Sequence, residues 1–272
     1  MTIIENALRQ LKAKSAAEAA ANPPAVNRAA RRPAPQGEPG VPAVRYLPAT
    51  LDASVMERNC ILPQITDDNA LRAYKILRTR LLQRLSVNQG RTLAITSTQP
   101  QQGKTLTAIN LAMTLAQDVH TSVFLVDLDL QRPRVAQSMG MSFEHGISDY
   151  LAGTVEADRI IYESGLPRLA IVPNATPLQN SSELLCSPRM MDLMSTLANS
   201  SPSRIIIYDM PPLLLSDDVL VFVPNVDGVL MVASEGTTTR SSLESAREVL
   251  GEMKVLGVVL NRSAERGESY YD

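Results

Sequence analysis

The chain has 272 residues, 44% of them hydrophobic in type, and a net charge of −2 at neutral pH. That is enough for one large α/β domain with appendages, and it supplies no basic field for nucleic acid. Tryptophan is absent, which disfavours single-strand stacking platforms, and Cys60 and Cys186 lack the paired spacing of a zinc site or disulfide framework, which fits a reducing compartment.

The opening, MTIIENALRQLKAK, carries Glu5 and Arg9 where a signal peptide needs an apolar core. No apolar run approaches the ~20 residues of a membrane span, so the expected location is the cytoplasm. Ile4, Leu8 and Leu11 fall at helical spacing, which predicts a short amphipathic helix over residues 1–14 that docks on the body, binds a partner, or frays.

Residues 15–60 are rich in Ala, Pro and Arg and read as a disordered linker. Arg28, Arg31 and Arg32 form a solvated cluster or touch an anionic membrane surface. Residues 67–86 predict a strong helix. Leu71, Tyr74, Leu77, Leu81 and Leu85 line one face, and Asp67, Asp68 and Asn69 supply the cap. Its other positions are basic, which suits a solvated face or a subunit contact.

From residue 92 onward, apolar runs alternate with helical patterns. The strands are expected at 92–97, 122–127, 168–172, 204–209, 227–233 and 255–260. The helices are expected at 104–117, 131–139, 146–152, 181–199 and 238–252. Continuous rather than alternating apolar runs indicate strands covered on both faces. Together they predict a doubly wound, mainly parallel sheet flanked by helices, with ligands at the carboxyl ends of the strands. The domain is expected over residues 61–264, followed by a flexible tail, 265–272.

The chemistry concentrates at three strand ends. The first, TLAITSTQPQQGKTLTAINLAMTLA, is a strand, a polar loop, Gly103-Lys104-Thr105 and a helix, the layout of a phosphate-binding loop. A helix N-terminus favours an anion, Gly103 lets the backbone approach phosphate, Lys104 supplies a point charge, and Thr105 offers a hydroxyl to Mg²⁺. The general pattern has glycine where Thr98 stands. The second is the run ending in Asp127-Leu128-Asp129, whose carboxylates can take separate roles in metal binding and proton or nucleophile handling. The third is Ile205 to Asp209 followed by Met210-Pro211-Pro212, an arrangement of the Walker B kind. Asp217 and Asp218 read as helix caps. Asn261 closes the last strand and reads equally as a turn former or as an amide facing adenine.

Taken together these motifs resemble the bacterial tyrosine kinases of the polysaccharide-export type, within the class of partition and septum-site ATPases. The resemblance covers residues 67–262. It rests on Pro100, Gly103, Lys104 and Thr105 in the cradle, Asp127 and Asp129 in the second motif, and Asp209, Pro211 and Pro212 in the third. Leu77, Arg78 and Thr79 match part of a helix motif of that family, and MTIIENAL resembles the opening of its exosortase-associated members. Gln101 and Gln102 stand where the family has Gly-Glu, Gln131 stands where an arginine follows the aspartates, with Arg132 and Arg134 close by, and Gln99 stands where partition ATPases carry a second lysine.

The resemblance implies a P-loop NTPase fold and an ATP- and Mg²⁺-dependent protein-tyrosine autokinase regulating exopolysaccharide or capsule biosynthesis and export. It assigns Lys104, Asp127, Asp129 and Asp209 to catalysis, with Asp127 as base. Thr98, Gln101, Gln102, Gly103, Lys104, Thr105, Leu106 and Asn261 would hold nucleotide. Thr105, Asp129 and Asp209 would surround the metal, and Tyr270 and Tyr271 would accept phosphate. It also implies a homo-oligomer, no nucleic acid, and a separate membrane-anchored polysaccharide co-polymerase as activator, which would hold the protein peripherally at the inner membrane. A non-kinase ATPase switch and a degenerate nucleotide-binding scaffold of the same machinery remain as alternatives.

Overall fold

The computed structural model describes residues 45–62, 68–87, 89–201, 203–251 and 253–263. The amphipathic segment 1–14 and the tyrosines of the tail lie outside them.

The apolar runs form the strands expected of them. Thr92–Ser97 (β2), Ser122–Asp127 (β3), Arg204–Asp209 (β6), Gly228–Ser234 (β7) and Val255–Asn261 (β8) reproduce the sequence reading to within a residue, and Leu169–Val172 (β5) begins one residue late. Two further strands of two residues each, Leu47–Pro48 (β1) and Tyr162–Glu163 (β4), extend one edge. The eight strands follow the order β1-β4-β5-β3-β6-β2-β7-β8, and every neighbouring pair is parallel except β4 with β5.

Side-chain alternation along each central strand divides the core in two. Leu93, Ile95, Val123, Leu125, Ile205 and Ile207 face one layer. It is covered by the helices Asp68–Ser86 (α2) and Lys104–Ala116 (α3) through Leu81, Leu85, Ile109 and Leu115. Ala94, Phe124, Val126, Ile206 and Tyr208 face the other layer, where they meet Leu193, Leu197, Phe222 and Leu250. This is the doubly wound sheet expected from the sequence.

The boundaries differ where capping chemistry intervenes. The helix expected over 181–199 is two, Ser181–Leu185 (α6) and Pro188–Asn199 (α7). Ser187 breaks it, because its hydroxyl accepts the Met190 N–H at 3.3 Å and Pro188 occupies the first turn. The helix expected from 131 starts only at Val135 and runs to Met139 (α4), because residues 128–134 form a loop around Asp127. Residues 45–60, linker-like in composition, carry β1 and a helix at Ala53–Arg58 (α1). Asp52 caps it by accepting the Ser54 and Val55 N–H groups at 2.8 and 3.2 Å. Met56, Ile61 and Leu62 are buried in the first core layer, which is why this segment is ordered despite its prolines. Ile147–Leu151 (α5), Asp218–Phe222 (α8) and Arg240–Leu250 (α9) complete the α-helices among the described residues.

One carboxylate ties β2 to β7 at their starts. Asp227 accepts the Arg91 N–H at 2.6 Å, the Thr92 N–H at 2.9 Å and the Thr92 hydroxyl at 2.8 Å. Partial burial pushes its pKa up, but these hydrogen bonds outweigh that and hold it below the ordinary carboxyl value. Asp227→Ala is therefore expected to cost about 1–3 kcal/mol in denaturant unfolding, since it strands several donors. The depressed pKa means that this stability is present above the unfolded-state value and is lost as pH falls through the folded one. Titrating unfolding free energy from pH 6 down to pH 3 should show an acid-dependent loss in the parent that is smaller in Asp227→Ala.

Candidate functional site

The cradle is built by a turn that only glycine closes. Gly103 caps α3 at φ +93°, and a methyl there would sit 2.0 Å from the Asn261 Nδ2. Asn261 in turn donates from that Nδ2 to the Gln102 carbonyl at 3.0 Å, so β8 supports the loop. Gln101 also takes a left-handed conformation, at φ +62°. For a non-glycine residue that costs on the order of 1–2 kcal/mol.

Gln102 turns inward. Its Oε1 accepts from the Gln99 N–H and the Thr98 hydroxyl, each at 3.1 Å, and its Nε2 donates to the Thr238 hydroxyl at 2.8 Å. Thr98 and Gln102 are both buried and shape the loop from behind.

Lys104 opens α3 and is 8% exposed. Its Nζ lies 2.7 Å from Asp129 Oδ2 and 3.8 Å from Asp209 Oδ1. Burial works against its charge, but Asp209 and Asp129 more than offset that and raise the Lys104 pKa. The Thr105 hydroxyl donates to Asp209 Oδ2 at 2.6 Å. Asp127 and Asp209 stand opposite each other in register on β3 and β6. Burial, helped by Asp209, pushes Asp127 well above the carboxylate range. Burial likewise raises Asp209, to about 6, against the pull of Lys104.

A cleft of about 560 Å³ opens over this group. Its lining includes Gln101, Gly103, Lys104, Thr105, Leu106, Asp129 and Asn261 from the sequence-derived set. Asp209 lies beneath the cleft, fully buried. Asp127 is also fully buried and is committed to the backbone: its Oδ2 accepts the Arg134 and Val135 N–H groups at 3.0 and 2.9 Å, and its Oδ1 accepts that of Asp129 at 3.3 Å. Arg132, Arg134 and Arg262 add cations to the lining, and Gln131 adds a neutral amide. Arg262 follows the last strand, a position whose cleft-facing role no local pattern signals.

Asp218 departs from a plain cap. It occupies the first turn of α8 fully buried, and its Oδ1 accepts the Ser181 hydroxyl at 2.8 Å. Burial raises its pKa against hydrogen bonds from Ser181 and Ser216. Asp217 is at the cap position but makes no side-chain cap bond.

Beneath the arginines of the lining, Asp127, Asp129 and Asp209 share one buried ammonium, that of Lys104. Asp209 Oδ1 is buried without a hydrogen-bond partner. No group of three or more His, Cys, Asp or Glu side chains among the described residues could hold a metal by itself. Thr105, Asp209 and Asp129 therefore fit a small dication that keeps most of its shell as water and phosphate oxygens, the habit of Mg²⁺.

Two outcomes follow from this geometry. Gln101→Gly should raise the unfolding free energy of the ligand-free protein by up to about 1 kcal/mol, the relief of left-handed strain less the entropy glycine adds to the unfolded chain. Thermal denaturation checks it, and an unchanged or lower Tm would refute it. For Asp209 the folded pKa is raised above the unfolded one, so its contribution is most favourable below the ordinary carboxyl value and is lost as pH rises through about 6. The Tm of Asp209→Asn relative to the parent should accordingly rise between pH 5 and pH 8, both measured without ligand.

The comparisons with known proteins agree with this geometry. The family model for the CobQ/CobB/MinD/ParA nucleotide binding domain matches residues 93–272. The tyrosine-protein kinase Etk of Escherichia coli K12 is 31% identical over 206 residues, 75% of this chain but 28% of that protein, so the chain spans under a third of that relative. The tyrosine-protein kinase CpsD of Streptococcus agalactiae is 29% identical over 202 residues, 73% of this chain and 85% of that protein. The solved kinase domain of the Escherichia coli tyrosine kinase ETK superposes with a TM-score of 0.67 at 30% identity, covering 75% of this chain and 79% of that one. The strand-turn-helix cradle, the acidic strand ends and these matches agree: the chain belongs to the CobQ/CobB/MinD/ParA nucleotide-binding family and, within it, to the bacterial tyrosine-kinase domains.

Proposed function

We propose that this chain is an ATP- and Mg²⁺-dependent protein-tyrosine kinase that phosphorylates Tyr270 and Tyr271 of a neighbouring copy and regulates exopolysaccharide or capsule export. The observation that carries the reading is the buried contact of Lys104 with Asp129 and of Thr105 with Asp209, at the start of a helix that follows a glycine turn.

The residues divide the work. Backbone N–H groups at the start of α3 and the Lys104 ammonium bind the phosphates of ATP. Lys104 would exchange Asp129 for phosphate oxygen on nucleotide binding, and Thr105, Asp129 and Asp209 are the residues that would hold Mg²⁺. Mg²⁺, when bound, supplies the charge that offsets the phosphate oxygens and the surplus carboxylates. Asp127 fixes the loop that presents Asp129, and in this reading it acts on the site through that loop.

The tail AERGESYYD carries acidic residues beside its tyrosines, and each phosphorylation would add about −1.5 to −2 charge there. Repulsion from the acidic site then loosens the contact between copies. A membrane-anchored co-polymerase is the expected activator. Among the described residues, no helix is long and apolar enough to cross a membrane.

A second reading, ATP hydrolysis without transfer to tyrosine, is favoured by the engagement of both Asp127 oxygens with backbone. Incubation of the purified chain with labelled ATP and Mg²⁺, scoring phosphotyrosine and free phosphate separately, decides between the two. The kinase reading expects phosphotyrosine at Tyr270 and Tyr271 by mass spectrometry, and its loss in Tyr270→Phe/Tyr271→Phe. Free phosphate alone selects the hydrolytic reading. Lys104→Ala should abolish both products and lower the Tm, since it leaves Asp129 and Asp209 without their buried cation, and a folded variant with parental turnover would sink both readings.

A further inference from the structure

Gln131 stands where the family resemblance places an arginine, and it lines the cleft with an exposed side chain. Its Nε2 donates to the Ser181 hydroxyl at 3.1 Å. Ser181 is buried at the start of α6 and donates its one proton to Asp218 Oδ1 at 2.8 Å. The chain Gln131–Ser181–Asp218 thus runs from the cleft into the second core layer, joining the β3 loop to α6 and α8.

Proton counting fixes the direction of the amide. A hydroxyl has one hydrogen and two lone pairs, and the Ser181 hydrogen is spent on the carboxylate. What remains toward Gln131 is a lone pair, which an amide N–H satisfies and an amide carbonyl would repel. The Nε2 end of Gln131 is therefore held against Ser181, and its Oε1 is the end left for the cleft.

That acceptor lies in a donor-rich setting. Lys104, Arg132, Arg134 and Arg262 all carry donors there, while the Thr105 hydroxyl spends its one hydrogen on Asp209. Asp129 is held by Lys104 and by the Arg132 N–H at 3.1 Å, and Asp127 is buried away from the cleft.

We propose that Gln131 is a catalytic residue whose Oε1 accepts a hydrogen bond from the hydroxyl that attacks the terminal phosphate of ATP, and that Ser181 and Asp218 are the positioning residues that fix its amide. The inference rests on the turnover assigned above. In the step, the attacking oxygen bonds to the γ-phosphorus, the bond from that phosphorus to the β,γ-bridging oxygen breaks, and ADP leaves with the electron pair. The hydroxyl proton is lost to a phosphate oxygen and then to water, because a neutral amide aligns a nucleophile without keeping its proton. The nucleophile is water or a tyrosine, and the two are separated by product.

The test uses the full chain with Mg·ATP and follows phosphate and phosphotyrosine together. Gln131 is exposed, so its truncation leaves the fold in place. Gln131→Ala should lower kcat by roughly 10- to 100-fold, the scale of losing alignment at the reacting centre, with the KM for ATP within about twofold of the parent. Ser181→Ala and Asp218→Asn should lower kcat less, also without raising KM, and Ser181→Thr should restore it by returning the hydroxyl. The Gln131→Ala/Ser181→Ala pair should be no slower than Gln131→Ala alone, because both act through one amide. A selective fall in phosphate assigns the contact to water, and a selective fall in phosphotyrosine assigns it to the tyrosine. Parental kcat in Gln131→Ala, or additive losses in the pair, would overturn the inference alone. A parent that yields neither product would overturn the proposed function and the inference with it.

Discussion

One buried ammonium holds this molecule's working end together. Lys104 meets Asp129 directly and Asp209 at slightly longer range, where burial leaves little water to screen them. The sheet order makes the meeting possible. β6 lies between β2 and β3, so the loop after β2 and the ends of β3 and β6 converge on one point. Each carboxylate there would be costly alone in a dry interior, and the lysine offsets only part of the cost. The raised pKa values of Asp127 and Asp209 express the remainder. In the proposed function, a dication and a polyphosphate entering together would change that balance, the metal offsetting the carboxylates and the phosphates engaging the lysine.

The loop around this ammonium shows how a departure from the family pattern is absorbed. Gln102 replaces an acidic residue, yet its side chain is fully used. An amide can accept from Thr98 and Gln99 at one end while donating to Thr238 at the other, where a carboxylate could only accept from the Thr238 hydroxyl. Gln101 has no such compensation. It occupies a left-handed position in an exposed stretch, and the strain is held by its neighbours: Gly103 permits the turn, and Asn261 fastens the Gln102 carbonyl. The two substitutions therefore differ in kind, although they are adjacent in sequence.

Much of this could be read from the chain because the signals were local. β2, β3 and β6 are six-residue apolar runs, and the residues that end them, with Gly103-Lys104-Thr105, are contiguous with those runs. β1 and β4 were missed because two residues cannot display a period. α1 was hidden by the proline-rich composition around it, although Asp52 before Ala53–Arg58 is a capping signal. The break at Ser187-Pro188 was legible in principle, being a cap followed by proline at the first helical position. The Gln131–Ser181–Asp218 chain was not legible: its links span 50 and 37 residues, and each residue taken alone reads as an ordinary loop or cap position.

Asp127 shows why a motif residue need not touch what its motif serves. Two backbone N–H groups at the head of α4 and one at Asp129 are spent on its oxygens, so the turn from β3 into α4 folds around the carboxylate. That turn delivers Asp129, Gln131, Arg132 and Arg134 to the cleft within six residues of sequence. Shortening or neutralising this side chain would leave the Asp129, Arg134 and Val135 N–H groups without the acceptor that now holds them. A carboxyl is suited to the position because it can accept several bonds at once, and Lys104 offsets part of the cost that burial and Asp209 place on its charge. The aspartate pair at the end of β3 thus separates two positions that its spacing leaves ambiguous: the first residue builds the loop, and the second faces the cleft.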